Sequence, residues 1–238
     1  MNYYDFHLIS EFSEGESSIK DFADRAKVLG YKGICISEHF RSKKQMEKLK
    51  EECKKITKSS EVEVFLGFQA RNLKELRKLS DLRREYDVLL VKGGTLNLNR
   101  KAVETPEVDL LLHPEFERRD SGFNHTMAKL AKENKVAIEI NFREILLSSK
   151  NTRAHIIHNI SNNVKLCKKY KAPLIICSGA FSHLQMKDPK VLISMGKLLG
   201  LELNEAKKSL SEVPEGIIKM IRERQSDKWV RPGVKVIE

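Results

Sequence analysis

The residues able to do chemistry recur in one kind of place, directly after short apolar runs. They are His7, Glu38 and His39, Gln69 and Arg71, Lys92 with Gly93 and Gly94, His113-Pro114-Glu115, Glu139 and Asn141, and Ser178-Gly179, with His183 just beyond. Imidazoles and carboxylates gathered together suit Zn, Mn or Fe, and a metal held there would support phosphoester hydrolysis. The same groups can equally make a polar surface whose members satisfy one another. Ser178-Gly179 could open a phosphate cup, but no second glycine-rich partner accompanies it. No Gly-x-Gly-x-x-Gly or Walker loop follows any apolar run, which weakens a nucleotide-binding open sheet.

Basic residues flank the same places. Arg71, Lys92, Arg100, Lys101, Arg118, Arg119, Arg143 and Lys187 fall in expected loops, where a planar guanidinium can grip two phosphate oxygens. Lys43, Lys44, Lys54 and Lys55 lie instead among glutamates on an expected helix face and read as solvated charge. Gly93-Gly94 would let backbone approach a ligand, and a simple turn explains the pair equally well. Aromatic residues are 7% of the chain and do not interleave with the basic ones. That favours recognition of a nucleic-acid backbone or shape over base stacking.

The elements that must position these residues alternate. Strands are expected at Tyr4–Ile9, Gly33–Ser37, Val62–Phe68, Asp87–Val91, Asp109–Leu112, Val136–Ile140 and Pro173–Cys177, several of them continuous apolar runs. Helical stripes follow: Ile19, Phe22, Ala23 and Ala26 after a Ser17 or Ser18 cap and before Gly30; Met46, Leu49, Cys53 and Ile56 after Ser42; Leu73, Leu76 and Leu79 after Asn72. After Gly93-Gly94 the pattern supports a short helix at most. Met127, Leu130 and Ala131, then Ile156, Ile160, Val164 and Cys167, mark two more helices. Asp188-Pro189 opens another, and a last helical stretch spans about Asn204–Arg224 with a break near Pro214. Such alternation predicts parallel βαβ units, and the length fits one (β/α) barrel. No eighth strand is evident, so a distorted TIM-like barrel with about seven parallel strands and outer helices is expected over residues 1–224. A polar, mobile tail is expected over 225–238.

The 238 residues include 44 Lys and Arg against 33 Asp and Glu, a net charge of +11. This balance suggests an acidic partner, nucleic acid before an anionic membrane, unless the surface is merely basic. No apolar run approaches the ~20 residues of a membrane span, and Met1–Asp5 does not resemble the start of a signal peptide. Cys35, Cys53, Cys167 and Cys177 form no CxxC pair and sit in apolar patterns. Reduced, buried thiols in a cytoplasmic protein are expected.

Several segments resemble, in order, the 30-kDa protein subunit family of ribonuclease P, which includes archaeal protein component 3. They are DFHLI (5–9), VKGGTLNLNRKAVE (91–104), RRDSGFNHTMAKLA (118–131), VAIEINFREIL (136–146) and DPKVLISMGKLLGL (188–201). The resemblance implies a barrel of the PHP phosphoesterase type acting inside a ribonucleoprotein that removes the 5′ leader of precursor tRNA. The implied partners are the ribonuclease P RNA, precursor tRNA and a small ferredoxin-like protein subunit, in a heterotetramer. Catalysis and Mg2+ are implied for the RNA, with no cofactor held tightly by this chain.

The resemblance also bears on metal. PHP enzymes open with His-x-His, whereas His7 is followed by Leu8-Ile9. Glu38, His39, His113 and His183 stand where further PHP ligands would be, leaving an incomplete, vestigial set. By resemblance and charge, Arg71, Lys92, Arg100, Arg118, Arg119, Arg143 and Lys187 are the expected RNA phosphate contacts. Asp120, Asn141, Gly93 and Gly94 are expected to order the loops. A stand-alone PHP-type metal phosphoesterase is the alternative reading.

Overall fold

The computed structural model describes residues 1–227, 229–231 and 234–235. Strands β1 (Tyr3–Leu8), β2 (Tyr31–His39), β3 (Glu63–Ala70), β4 (Val88–Lys92), β5 (Leu110–Leu112), β6 (Ala137–Asn141) and β7 (Leu174–Cys177) pair in chain order, all parallel. Helices α1 (Ile19–Leu29), α2 (Lys43–Ser59), α3 (Leu73–Asp81), α4 (Leu96–Glu104), α5 (His125–Asn134) and the successive α6 (Phe142–Leu147) and α7 (Lys150–Tyr170) connect them. After β7 come α8 (Pro189–Leu198), α9 (Leu203–Lys208) and α10 (Glu212–Gln225). The result is the expected distorted TIM-like barrel.

Where an eighth strand would lie, the chain spends only Ser209 and Leu210. The Leu210 carbonyl accepts from the Tyr4 amide of β1 at 2.9 Å, and the Ser209 carbonyl accepts from the Ile176 amide of β7 at 3.3 Å. A parallel bridge between Leu8 and Ala180 joins the two edges nearer the other end. Both strand edges thus find partners without a full strand, which is why no eighth apolar run exists in the sequence.

Two apolar layers hold the barrel. Phe6, Cys35, Val88, Leu90, Leu110 and Ile175 fill the interior, and Ile217, Ile218 and Ile221 of α10 join that cluster. Alternate strand residues, such as Ile34, Leu66, Leu89 and Ile138, face the outer helices. All four cysteines are free and buried in these layers.

Helix starts follow the expected side chains. Ser18 forms a capping box with Asp21, and Gly30 ends α1 at φ 77°. Asn72 accepts from the Glu75 amide, and Asp188 precedes Pro189 at the first position of α8. Three details differ from the sequence expectation. The stretch after Gly94 is a full helix, α4, capped by Thr95. A separate helix, α6, precedes α7 and is capped by Asn141. The last break falls at Ser209–Ser211, and Pro214 lies in the first turn of α10, where its missing amide costs nothing.

Of the stretch 225–238 assigned to a tail, Gln225 closes α10 and Trp229–Arg231 pairs antiparallel with Val234–Lys235. The Arg84 guanidinium lies 5.5 Å from the Trp229 ring centre. Residues 228, 232–233 and 236–238 of that expected tail lie outside the described residues.

Candidate functional site at the barrel mouth

The carboxyl ends of β1, β3, β5 and β6 bring together a buried polar network. His7 Nδ1 lies 2.6 Å from Glu139 Oε1, and Glu139 Oε2 accepts the His113 backbone amide at 3.1 Å. The Asn141 amide donates to Glu139 Oε1 at 3.2 Å, and Gln69 Nε2 lies 3.3 Å from His7 Nε2. Both ring nitrogens of His7 thus have a hydrogen-bond partner. Burial alone would raise the Glu139 pKa, but His7, His113 and Asn141 outweigh it and hold the carboxyl below its ordinary range. Glu38 Oε1 takes both the amide and the hydroxyl of Ser10, at 3.0 and 2.6 Å.

Above this network lies a cavity of about 160 Å³ bordered by His39, Lys92, His113, Phe116, Arg143 and Phe181. Lys92 Nζ stands 4.8 Å from the Phe116 ring centre, and the Arg143 guanidinium 3.9 Å from that of Phe181. Among the described residues, neither cation has a carboxylate ion-pair partner. Burial lowers His39, helped by Arg71, and pushes His113 down to about 4, with Lys92 adding to the shift. The mouth therefore carries His39 and His113 as neutral imidazoles beside two cations braced on aromatic rings.

The loops around the mouth are tied down by side chains. Asn99 of α4 donates to the Pro114 and Gly122 carbonyls, at 2.9 and 2.8 Å, and its oxygen accepts the Gly94 amide at 3.1 Å. On α7, Asn159 donates to the Asp120 carbonyl and Asn163 to the Ser121 carbonyl. These asparagines were missed from sequence; their signal was a polar residue inside an apolar helical stripe. Gly93 is needed for packing, because a Cβ there would sit 2.5 Å from the Leu112 carbonyl oxygen. Gly122, at φ 62°, would place a Cβ 1.9 Å from the Pro114 oxygen. Both close approaches are to this chain's own backbone.

The expected phosphate-binding residues separate into groups. Lys92 and Arg143 border the mouth. Arg118 grips Asp120 with two bonds, at 2.6 and 2.9 Å, and donates to the Gly94 carbonyl at 2.8 Å. Its guanidinium thus orders the loop together with Asp120, which also accepts the Gly122 amide. Neighbouring Arg119 is exposed, without an ion pair among the described residues. Arg71 is paired with Glu75 at 3.1 Å. Arg100 is not in a loop: it lies on α4, bound to Glu104 one turn on at 2.7 Å. The Lys187 carbonyl accepts from the Tyr31 hydroxyl, away from the mouth. Asn141 caps α6 by accepting the Glu144 amide at 3.2 Å, which fits its expected ordering role.

Several of the PHP-like donors are engaged with protein groups, whereas both ring nitrogens of His113 and Glu38 Oε2 have no hydrogen-bond partner among the described residues. His7 and Glu139 spend their facing atoms on one another, and Glu38 spends Oε1 on Ser10. His183 binds the Ser17 hydroxyl at 2.8 Å in a turn outside the cavity. The nearest approaches of the remaining imidazoles to carboxylates are 3.8 Å, His39 to Glu14 and His113 to Glu144. Among the described residues no group of three His, Cys, Asp or Glu converges as a metal site would require.

Glu115, next to this network, is buried, and burial pushes its pKa up to about 8. Its folded pKa exceeds the ordinary 4.5, so its stabilising contribution is full below that value and is lost as pH rises through 8. Replacing it with the isosteric neutral amide removes that loss. Glu115→Gln should match the native chain near pH 5 and exceed it above pH 8 by a few kcal/mol, since each pKa unit is worth about 1.4 kcal/mol. Urea unfolding at the two pH values checks this, and an equal native-to-variant difference at both would refute it.

Comparison with known proteins fits this geometry. The family model for RNase P subunit p30 matches residues 2–226. The chain belongs to the p30 family of ribonuclease P subunits. Ribonuclease P protein component 3 of Methanosarcina barkeri is 35% identical, with 99% of this chain and 96% of that protein covered. The Methanocaldococcus jannaschii protein of the same name is 36% identical over 79% of this chain and 82% of its own length. Among solved structures, a chain from a cryo-EM structure of archaeal ribonuclease P with mature tRNA matches with a TM-score of 0.79 and 30% identity. That match covers 98% of each chain. Among the described residues, no helix of this p30-family chain is long and apolar enough to cross a membrane.

Proposed function

We propose that this chain is a protein subunit of ribonuclease P, the ribonucleoprotein that cleaves the 5′ leader from precursor tRNA. The observation that carries the reading is its end-to-end match to a chain of archaeal ribonuclease P bound to tRNA. The site chemistry agrees with a role in binding and ordering RNA. Lys92, Arg143 and Arg119 offer cations to phosphate, while His7 and Glu139 of the mouth are engaged with one another. Hydrolysis belongs to the RNA and its Mg2+ ions. A small ferredoxin-like protein subunit completes the RNA-binding unit as a heterotetramer, and the buried free thiols suit the cytoplasm.

Reconstitution tests the reading. The ribonuclease P RNA is assembled with its protein subunits, with and without this chain, and precursor-tRNA cleavage is followed against Mg2+ concentration. Including the chain should raise the rate and lower the Mg2+ requirement. An unchanged rate and Mg2+ dependence would overturn the assignment.

A further inference from the structure

Beside the barrel mouth lies a second, larger cavity of about 660 Å³, which shares Phe116, Glu144 and Leu147 with the first. Its walls are the loop after β5 and the facing parts of α6 and α7. Phe116, Leu147 and Ile156 make an apolar floor, with Ser148, Asn151 and Thr152 along one edge. Leu147 is 65% exposed, which leaves its side chain open to contact. The cavity falls within the usual range for a bound organic ligand, about 300–1,000 Å³, whereas the mouth cavity is smaller than that range.

Three further observations mark the groove as built. Glu115 lines it, is 4% exposed, and its Oε1 has no hydrogen-bond partner among the described residues. A buried polar atom left open is costly unless something completes it. Glu117 on the wall holds a positive φ of 54°, unusual for a residue with a side chain. Charge brackets the groove, with Arg119 on its rim and Lys92 and Arg143 across the shared residues in the mouth.

Resting on the RNA-binding reading above, we propose that this groove takes one unpaired nucleobase of an RNA strand, with the flanking phosphates on Arg119 and on Lys92 and Arg143. The apolar floor receives the face of the base, and Glu115 with the amide and hydroxyl edge meets its polar rim. Burial keeps the Glu115 carboxyl protonated near neutral pH, so Oε1 can donate to a base acceptor. The pairing of aromatic and basic groups that the sequence lacks is supplied by folding, which sets Phe116 under Lys92.

The test uses the full chain with two fluorescent six-nucleotide strands, oligoadenylate and an abasic strand with the same phosphates, followed by anisotropy across a salt series. The base-bearing strand should bind about tenfold tighter, within the range found for one stacked base. Leu147→Ser and the groove-filling Thr152→Trp, both at exposed positions, should erase that preference and leave the salt slope unchanged. Equal affinity of the native chain for the two strands, with a normal salt slope, would overturn the groove proposal alone. A preference that survives both substitutions would also overturn it. Failure of both strands to bind at low salt would overturn the RNA reading itself.

Discussion

Asp109→Ala should cost the fold about 3–5 kcal/mol, the range for removing one partner of a buried ion pair. Asp109 immediately precedes β5 and is 1% exposed. Its carboxylate pairs with both Arg83 and Arg224, themselves buried, and accepts the Leu89 amide at 2.9 Å. Arg83 also donates to the carbonyls of Tyr86, Asp87 and Glu107. Removing the carboxylate strands two guanidinium charges at the base of the barrel and frees α10 from β5. Against the usual 5–15 kcal/mol of a domain, such a loss is a large share. Urea unfolding checks it as a fall in midpoint at unchanged slope. A loss below about 1 kcal/mol would show that water reaches the triad. Replacing all three residues with apolar ones of similar volume should be far milder, because no unpaired charge then remains.

This triad was invisible in the sequence, and the reason is general for the chain. Strands and helices are local patterns, and the seven apolar runs, the Ser18, Asn72 and Asp188 caps and the Gly30 stop all stand in the structure where their chemistry put them. Helix α4 was underestimated because Asn97 and Asn99 interrupt its apolar stripe, yet Asn99 is buried to bind three loop groups. Ring and ion pairings between distant segments have no local signature. Arg143 meets Phe181 through the adjacency of β6 and β7, and Asp109 meets Arg224 through the packing of α10. The strand-end positions of Lys92, His113 and Asn141 could be read because a barrel gathers strand ends at one mouth. The spent cations did carry a local signal, since Arg71, Arg100 and Arg118 each have a carboxylate two to four residues away, but whether such a pair closes depends on the local backbone.

That last distinction sets the second large effect. Lys92→Ala with Arg143→Ala should weaken RNA binding far more than Arg71→Ala with Arg100→Ala, although each pair removes two positive charges. Among the described residues Lys92 and Arg143 have no carboxylate ion pair to leave before they bind phosphate, and the rings of Phe116 and Phe181 brace them. Arg71 and Arg100 would first have to break pairs with Glu75 and Glu104. A charge-assisted hydrogen bond is worth about 1.5–3 kcal/mol, so each lost mouth contact should reduce affinity about tenfold or more at low salt. The logarithmic salt slope should also fall by about two for the mouth pair, near one per phosphate released. Binding of ribonuclease P RNA across a salt series measures both quantities. Equal losses from the two pairs would mean that net charge rather than the mouth governs binding. An unchanged slope in the Lys92 and Arg143 variant would remove the mouth from the RNA interface, because a phosphate contact cannot be lost without its counterion term.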